Sequence, residues 1–138
     1  MRGYSLIELL VALAISAALG VFAVPTFHQQ TSSLLLQQEA GRWLSYLQQI
    51  QAKSQSSNES IDADLSHLIS DSGKAGVVAS STYSLSSPLT FYGRTAAAVP
   101  GHIKLNKRDQ QIKVIISSKG RIRSCLSKGH SLPGVATC

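Results

Sequence analysis

Met1-Arg2-Gly3-Tyr4-Ser5-Leu6-Ile7-Glu8-Leu9-Leu10 opens an apolar run that extends to Val24 with one charge inside it, Glu8. A secretory signal peptide is cut after its apolar core, which is then discarded. Here the small residue suited to cleavage, Gly3, precedes the core, so the apolar segment is expected to stay with the chain. The nineteen residues from Leu6 to Val24 span about 28 Å at about 1.5 Å per residue, close to the bilayer core of about 30 Å. Arg2 on the N-terminal flank, with no acid before Glu8, predicts a single pass with the N-terminus inside and the remainder outside. A carboxylate within such a run costs about 3 kcal/mol on insertion scales. Glu8 has a function there or lies in the hydrated headgroup zone, and both can hold in turn.

The string Gly3-Tyr-Ser-Leu-Ile-Glu-Leu-Leu-Val-Ala-Leu13 resembles the class III signal of type IV pilins and type II secretion pseudopilins. The resemblance implies cleavage by a prepilin peptidase between Gly3 and Tyr4, and N-methylation of Tyr4. It places Glu8 fifth in the mature chain, where it would meet the free amine of Tyr4 on a neighbouring subunit as a filament assembles. The family usually has Phe where Tyr4 stands. Pro25 sits where these proteins commonly carry a kinking proline. The implied location is the inner membrane, with the C-terminal domain in the periplasm, and then a pilus or pseudopilus built with other pilin subunits.

Beyond Pro25 the helical pattern resumes at once, so the proline is expected to bend the helix rather than end it. Leu36, Ala40, Trp43, Leu44, Leu47 and Ile50 recur at spacings of three and four, the mark of one apolar stripe. The opposite face carries Gln37, Gln38, Gln48 and Gln49. Helix from Tyr4 to about Ser56 makes a rod of about 80 Å, with Trp43 and Leu47 as buried anchors under a sheet. Ser54 to Ser60 reads as a loop, and Asp64 to Ile69 as either a helical turn or an irregular segment. Strand-like pieces follow at Gly76–Ser80, Thr82–Ser86, Leu89–Tyr92, His102–Leu105, Gln111–Ile116 and Arg121–Cys125, separated by turn signals. The fold class is therefore α+β: a long N-terminal helix on a small antiparallel β-sheet domain. The organisation is a leader at 1–3, a membrane and filament-core helix at 4–25, its amphipathic half at 26–57, and a sheet domain at 58–138.

A domain of this size buries a thin core and benefits from a covalent staple. Cys125 and Cys138 are the only cysteines, and outside the cytoplasm a disulfide between them is expected, two free thiols being the alternative. Charge is sharply divided. Glu59, Asp62, Asp64 and Asp71 stand in a stretch without a base, whereas Lys74 to Cys138 holds ten bases against Asp109, a balance of +9. Such a block points to an anionic partner: nucleic acid, lipid headgroups or an acidic protein surface.

Leu89-Thr-Phe-Tyr-Gly-Arg94, Gly101-His-Ile-Lys-Leu105 and Ile112-Lys-Val-Ile-Ile-Ser-Ser-Lys-Gly-Arg-Ile-Arg123 together resemble the GspH and FimT family of minor pilins and pseudopilins. The resemblance weakens between Asn58 and Gly76, and a disulfide-closed tail is not expected of every member. In FimT-like proteins of natural transformation (competence), a Gly-Arg-x-Arg element is linked to DNA binding, and Gly120-Arg121-Ile122-Arg123 matches it at each fixed position.

Strand alternation supports that element from the residues themselves. Gly120 closes a turn after Ser117 in a conformation cheap only for glycine. Ile122 then points inward, while Arg121 and Arg123 point outward. By the same rule Lys104 and Lys113 face outward, so with neighbouring strands they share one face, with Lys119 at its rim. Paired guanidinium groups suit phosphates. The plain alternative is a solvated strand face whose charges deter aggregation. In the strand region the aromatics are Tyr83, Phe91 and Tyr92, with Phe91 inward, too few to stack a single strand; weak, sequence-independent duplex binding is expected. Arg94 reads as a turn charge.

His28, His67, His102 and His130 are dispersed without zinc spacing. There is no nucleophile elbow and no Gly-Lys-Ser/Thr phosphate loop. No enzyme, cofactor or metal is expected. Three roles fit: a DNA-binding minor pilin, a structural pseudopilin of type II secretion, and a minor pilin that only primes assembly.

Overall fold

The computed structural model describes residues 4–138; the leader, and with it Gly3, lies outside the described residues. The chain divides into two compact units, the first ending at Ser32 and the second running Ser33–Cys138. One helix, α1 (Leu6–Ser57), continues through Pro25 as its periodicity predicts.

In the first unit every described residue up to Thr31 is exposed, and the helix is long and apolar enough to cross a membrane. Its hydroxyls do not disturb that character. Ser16, Thr26, Thr31 and Ser32 each donate to the carbonyl four residues back, at 2.9, 3.2, 2.9 and 2.9 Å. A hydroxyl bonded inside its own helix carries its partner with it into an apolar surrounding.

The second unit is built on the apolar stripe. Leu36, Ala40, Trp43 and Leu47 are buried, with Leu44 and Ile50 packed at the margin of the same core. After α1 come β1 (Ser60–Asp62), α2 (Ser66–Lys74), β2 (Val78–Ser81), β3 (Thr90–Tyr92), β4 (Gly101–Lys107), β5 (Gln110–Ile116) and β6 (Ile122–Lys128). Strands β2-β4-β5-β6 form an antiparallel four-stranded sheet, and β1 pairs with β3 in a separate two-stranded one. Ile103, Leu105, Ile112, Val114 and Ile116 line the buried face of the larger sheet, which packs with the α1 stripe in one core.

The structure departs from the sequence reading in four places. Thr82–Ser86 is not a strand: Ser84 and Ser87 exchange backbone hydrogen bonds, each 3.1 Å, closing a tight turn with Leu85 exposed at its tip. Leu89–Tyr92 does not join the main sheet, because β3 pairs with β1, a three-residue strand that begins at Ser60, the last residue of the segment read as loop. The ambiguous Asp64–Ile69 stretch enters a helix that runs on to Lys74, with Asp64 Oδ1 accepting from the Ser66 N–H at 2.9 Å. Finally, β6 extends to Lys128 instead of ending at Cys125.

The added residues pair with β5, Leu126 opposite Ile112 and Lys128 opposite Gln111. Cys125 and Cys138 are joined, and the tail they close lies along β6 as a short parallel partner. Leu126 N–H donates to Ala136 O at 2.7 Å, and Cys138 N–H to Leu126 O at 3.0 Å. An edge that would otherwise present open backbone groups is thereby covered.

A polar chain links the two helices inside the core. Trp43 Nε1 donates to Ser72 Oγ at 3.0 Å, and Ser72 Oγ donates to Glu39 Oε2 at 3.0 Å. Buried polar groups need such partners, since an orphan costs about 1–3 kcal/mol. At the far end of α1, buried Ser54 Oγ lies 2.6 Å from Glu59 O and 2.9 Å from Phe91 O, tying the helix terminus to the small sheet.

Candidate functional site

The Gly120 turn is held on three sides. Gly120 N–H donates to Ser117 O at 2.9 Å, Ser117 N–H to Arg121 O at 3.0 Å, and Arg121 N–H to Ser117 Oγ at 3.1 Å. Gln51 of α1 donates to the Gly120 carbonyl at 2.6 Å, and Ala98 N–H donates to Ser118 O at 3.2 Å. Gly120 has φ +75°, and a Cβ there would collide with the Ala96 carbonyl oxygen. Both conformation and space require glycine. From this fixed turn Arg121 emerges exposed just before β6, with Lys119 exposed in the turn itself.

The outer face of the sheet follows from register. Lys104 stands opposite Ser80 on one side and Lys113 on the other. Lys113 in turn stands opposite Cys125. In the next outward row His102 faces Ile115, which faces Arg123. Lys104, Lys113 and Arg123 therefore share one face, as alternation predicts, while Ile122 packs at the edge of the core. Arg121 is exposed but precedes the paired strand, so it borders this face at the turn end.

No carboxylate occurs on any of the four strands. Among the described residues, none of Lys104, Lys113, Lys119, Arg121 and Arg123 takes part in an ion pair. Like charges directly opposite across a ladder destabilise it, so stability does not account for the Lys104–Lys113 pairing. His102 registers the same field: burial and the nearby Lys104 and Lys113 ammonium groups push its imidazole below the usual range.

Part of the basic surplus is structural. Lys107 Nζ donates to Ala75 O at 2.9 Å at the C-terminal end of α2, where a cation complements the helix dipole. Lys74 pairs with Asp71 at 2.8 Å, and Arg42 with Asp71 at 3.0 Å. Arg94, on the turn after β3, stands outside the four-stranded sheet.

His102 is the residue that sequence reasoning passed over. A search for metal spacing finds the four histidines scattered, but alternation through Ile103 to Lys104 already assigns His102 to the outer face.

At the other end of the chain, Tyr4 is exposed and Glu8 lies exposed in the first turn of α1. A carboxylate there faces the positive end of the helix dipole, a reason for Glu8 within a single chain that adds to any role between chains. The apolar side chains from Leu6 to Phe27 are exposed, with nothing among the described residues of their own unit to cover them.

Residues 1–24 match the family described as the prokaryotic N-terminal methylation motif. No curated protein and no solved structure matches the chain. The matched motif, with the apolar helix behind it and the α+β domain beyond, supports a type IV pilin-like protein or pseudopilin. A prepilin signal implies processing by a prepilin peptidase and assembly with other pilins, and the helix fits membrane anchoring before assembly.

Proposed function

We propose that this pilin-like chain is a minor pilin of a type IV pilus whose sheet domain binds DNA for uptake in natural transformation. The observation that carries the reading is the Lys104–Lys113 pair with Arg123 on the same face and Arg121 and Lys119 beside it. These five cations have no carboxylate partner among the described residues. A polyanion supplies what that face lacks. Such binding reads the phosphate backbone, releases counterions and weakens steeply with salt. Arg121 and Arg123 are the guanidinium groups suited to bidentate phosphate contacts.

In this reading Tyr4 and Glu8 serve assembly in the filament, Gly3 serves processing, and the sheet domain lies on the periplasmic side before it reaches the surface. Replacing Arg121 and Arg123 together by Gln in the producing cell is expected to lower transformation while pili still assemble. Equal loss of both would assign the arginines to assembly.

The structural pseudopilin reading has one observation of its own. Packing alone explains Gly120, which is required by its φ and by the Ala96 carbonyl, so the Gly-Arg-Ile-Arg match is informative at its arginines only.

A further inference from the structure

His102 stands on β4 with Lys104 two residues away on the same outward face, Lys113 diagonal to it on β5, and Arg123 in its own row beyond Ile115. Diagonal neighbours on one sheet face lie within reach of long side chains. Its backbone is fixed on the β2 side, where His102 N–H donates to Thr82 Oγ1 at 3.0 Å and Thr82 N–H donates to His102 O at 3.1 Å. The ring is half-buried, placed to change the charge of the face without extending from it.

We propose that His102 is the protonation-controlled member of this face: charged, it adds an imidazolium beside Lys104 and Lys113, and the face then holds DNA phosphates more tightly in mildly acidic solution. The proposal rests on the reading of the face as a DNA-backbone site and adds a regulation to it.

The groups around His102 determine the sign. From β4 and β5 it meets Lys104 and Lys113, and Arg123 of β6 shares its row; β2, β4, β5 and β6 contain no Asp or Glu. Tyr83, which packs beside Gly101, has its phenol pushed up to about 12 by burial and is neutral throughout. In the free protein, burial and the two lysines disfavour the imidazolium, so the ring is neutral near pH 7. A bound phosphate offsets the lysine charges and favours the imidazolium. By linkage, a ligand that raises the pKa of a group binds more tightly as pH falls through that range. A rise of one unit corresponds to about tenfold in affinity.

The chain carries three further histidines, His28, His67 and His130, so a pH effect by itself does not single out His102. A comparison of variants removes their contribution. Full-length protein in detergent is titrated with duplex DNA at pH 8 and pH 5.5 at constant ionic strength, alongside His102→Gln and His102→Lys. The parent should bind about five- to tenfold more tightly at pH 5.5. H102Q should lose most of the gain between pH 8 and pH 5.5, while H102K should bind at pH 8 as the parent does at pH 5.5. An NMR titration of the His102 ring in the parent should show it titrating below the ordinary histidine range, and higher when DNA is added. DNA binding that is flat with pH, a gain preserved in H102Q, or a ring unmoved by DNA overturns the inference and leaves the DNA reading standing. Absence of binding at both pH values overturns the two together.

Discussion

Lys104 and Lys113 stand directly opposite each other on adjacent antiparallel strands, and neither is relieved by an ion pair among the described residues. Like-charged partners at such positions cost the sheet roughly as much as an opposite pair would contribute, about 0.2–1 kcal/mol. A protein under pressure for stability alone has an easy remedy at either position.

Lys113→Glu supplies that remedy. The variant should be more stable to urea by about 0.4–2 kcal/mol, because a repulsion across the ladder is exchanged for an attraction of similar size. It should bind duplex DNA more weakly than the parent at the same salt. A variant that is less stable and binds equally well would mean that the lysines are not set for a polyanion.

Gly120 makes a contrasting prediction. Gly120→Ala forces a left-handed φ on a residue with a Cβ and drives that Cβ against Ala96. Unfolding free energy should fall by about 2 kcal/mol or more, together with loss of the Gln51 hydrogen bond to the turn. Unchanged stability by denaturant titration would show that the turn is not fixed in this form.

The Cys125–Cys138 link closes a sequence separation of 13. On the chain-entropy account, replacing both cysteines by Ser should destabilise the domain by about 3 kcal/mol and uncover the β6 edge. Peptide mapping without reductant should recover the two linked. Free alkylation of both in native protein would contradict the stapled tail.

How much of this was legible in the sequence depends on how many residues each feature spans. Leu36, Ala40, Trp43 and Leu47 declare their burial because the helix repeats the signal over three turns. Arg121, Ile122 and Arg123 are placed by alternation, helped by the glycine turn before them. By contrast β1 has three residues, too few to show a period, and begins at the last residue of the serine-rich stretch that reads as loop. Thr82–Ser86 alternates like a strand, yet the Ser84–Ser87 pair closes the backbone on itself before Pro88. The extension of β6 continues its pairing with β5 past a register shift at Gln111/Ile112, and the tail meets it at Leu126, interactions that local pattern does not encode. Ser72 could not be singled out either, because its role arises only where α2 meets Trp43 and Glu39.

Processing follows from the junction of Gly3 and Tyr4. Mass spectrometry of mature protein should give Tyr4–Cys138 with one added methyl, and replacing Gly3 should leave the full precursor in the membrane. A mature N-terminus beyond Val24 would identify an ordinary signal peptide and remove the helix from any filament.

The most direct test of the central claim is the salt dependence of duplex DNA binding by full-length protein in detergent, compared with the Arg121→Gln, Arg123→Gln double variant. The parent should bind in low salt with little sequence preference. The double variant should keep its fold, since surface substitutions usually cost less than about 0.5 kcal/mol. Its affinity should fall for every sequence, and its salt slope should shrink by about one unit for each phosphate that is no longer neutralised. Equal affinity of parent and variant at matched salt, or no binding by the parent in low salt, would contradict the claim.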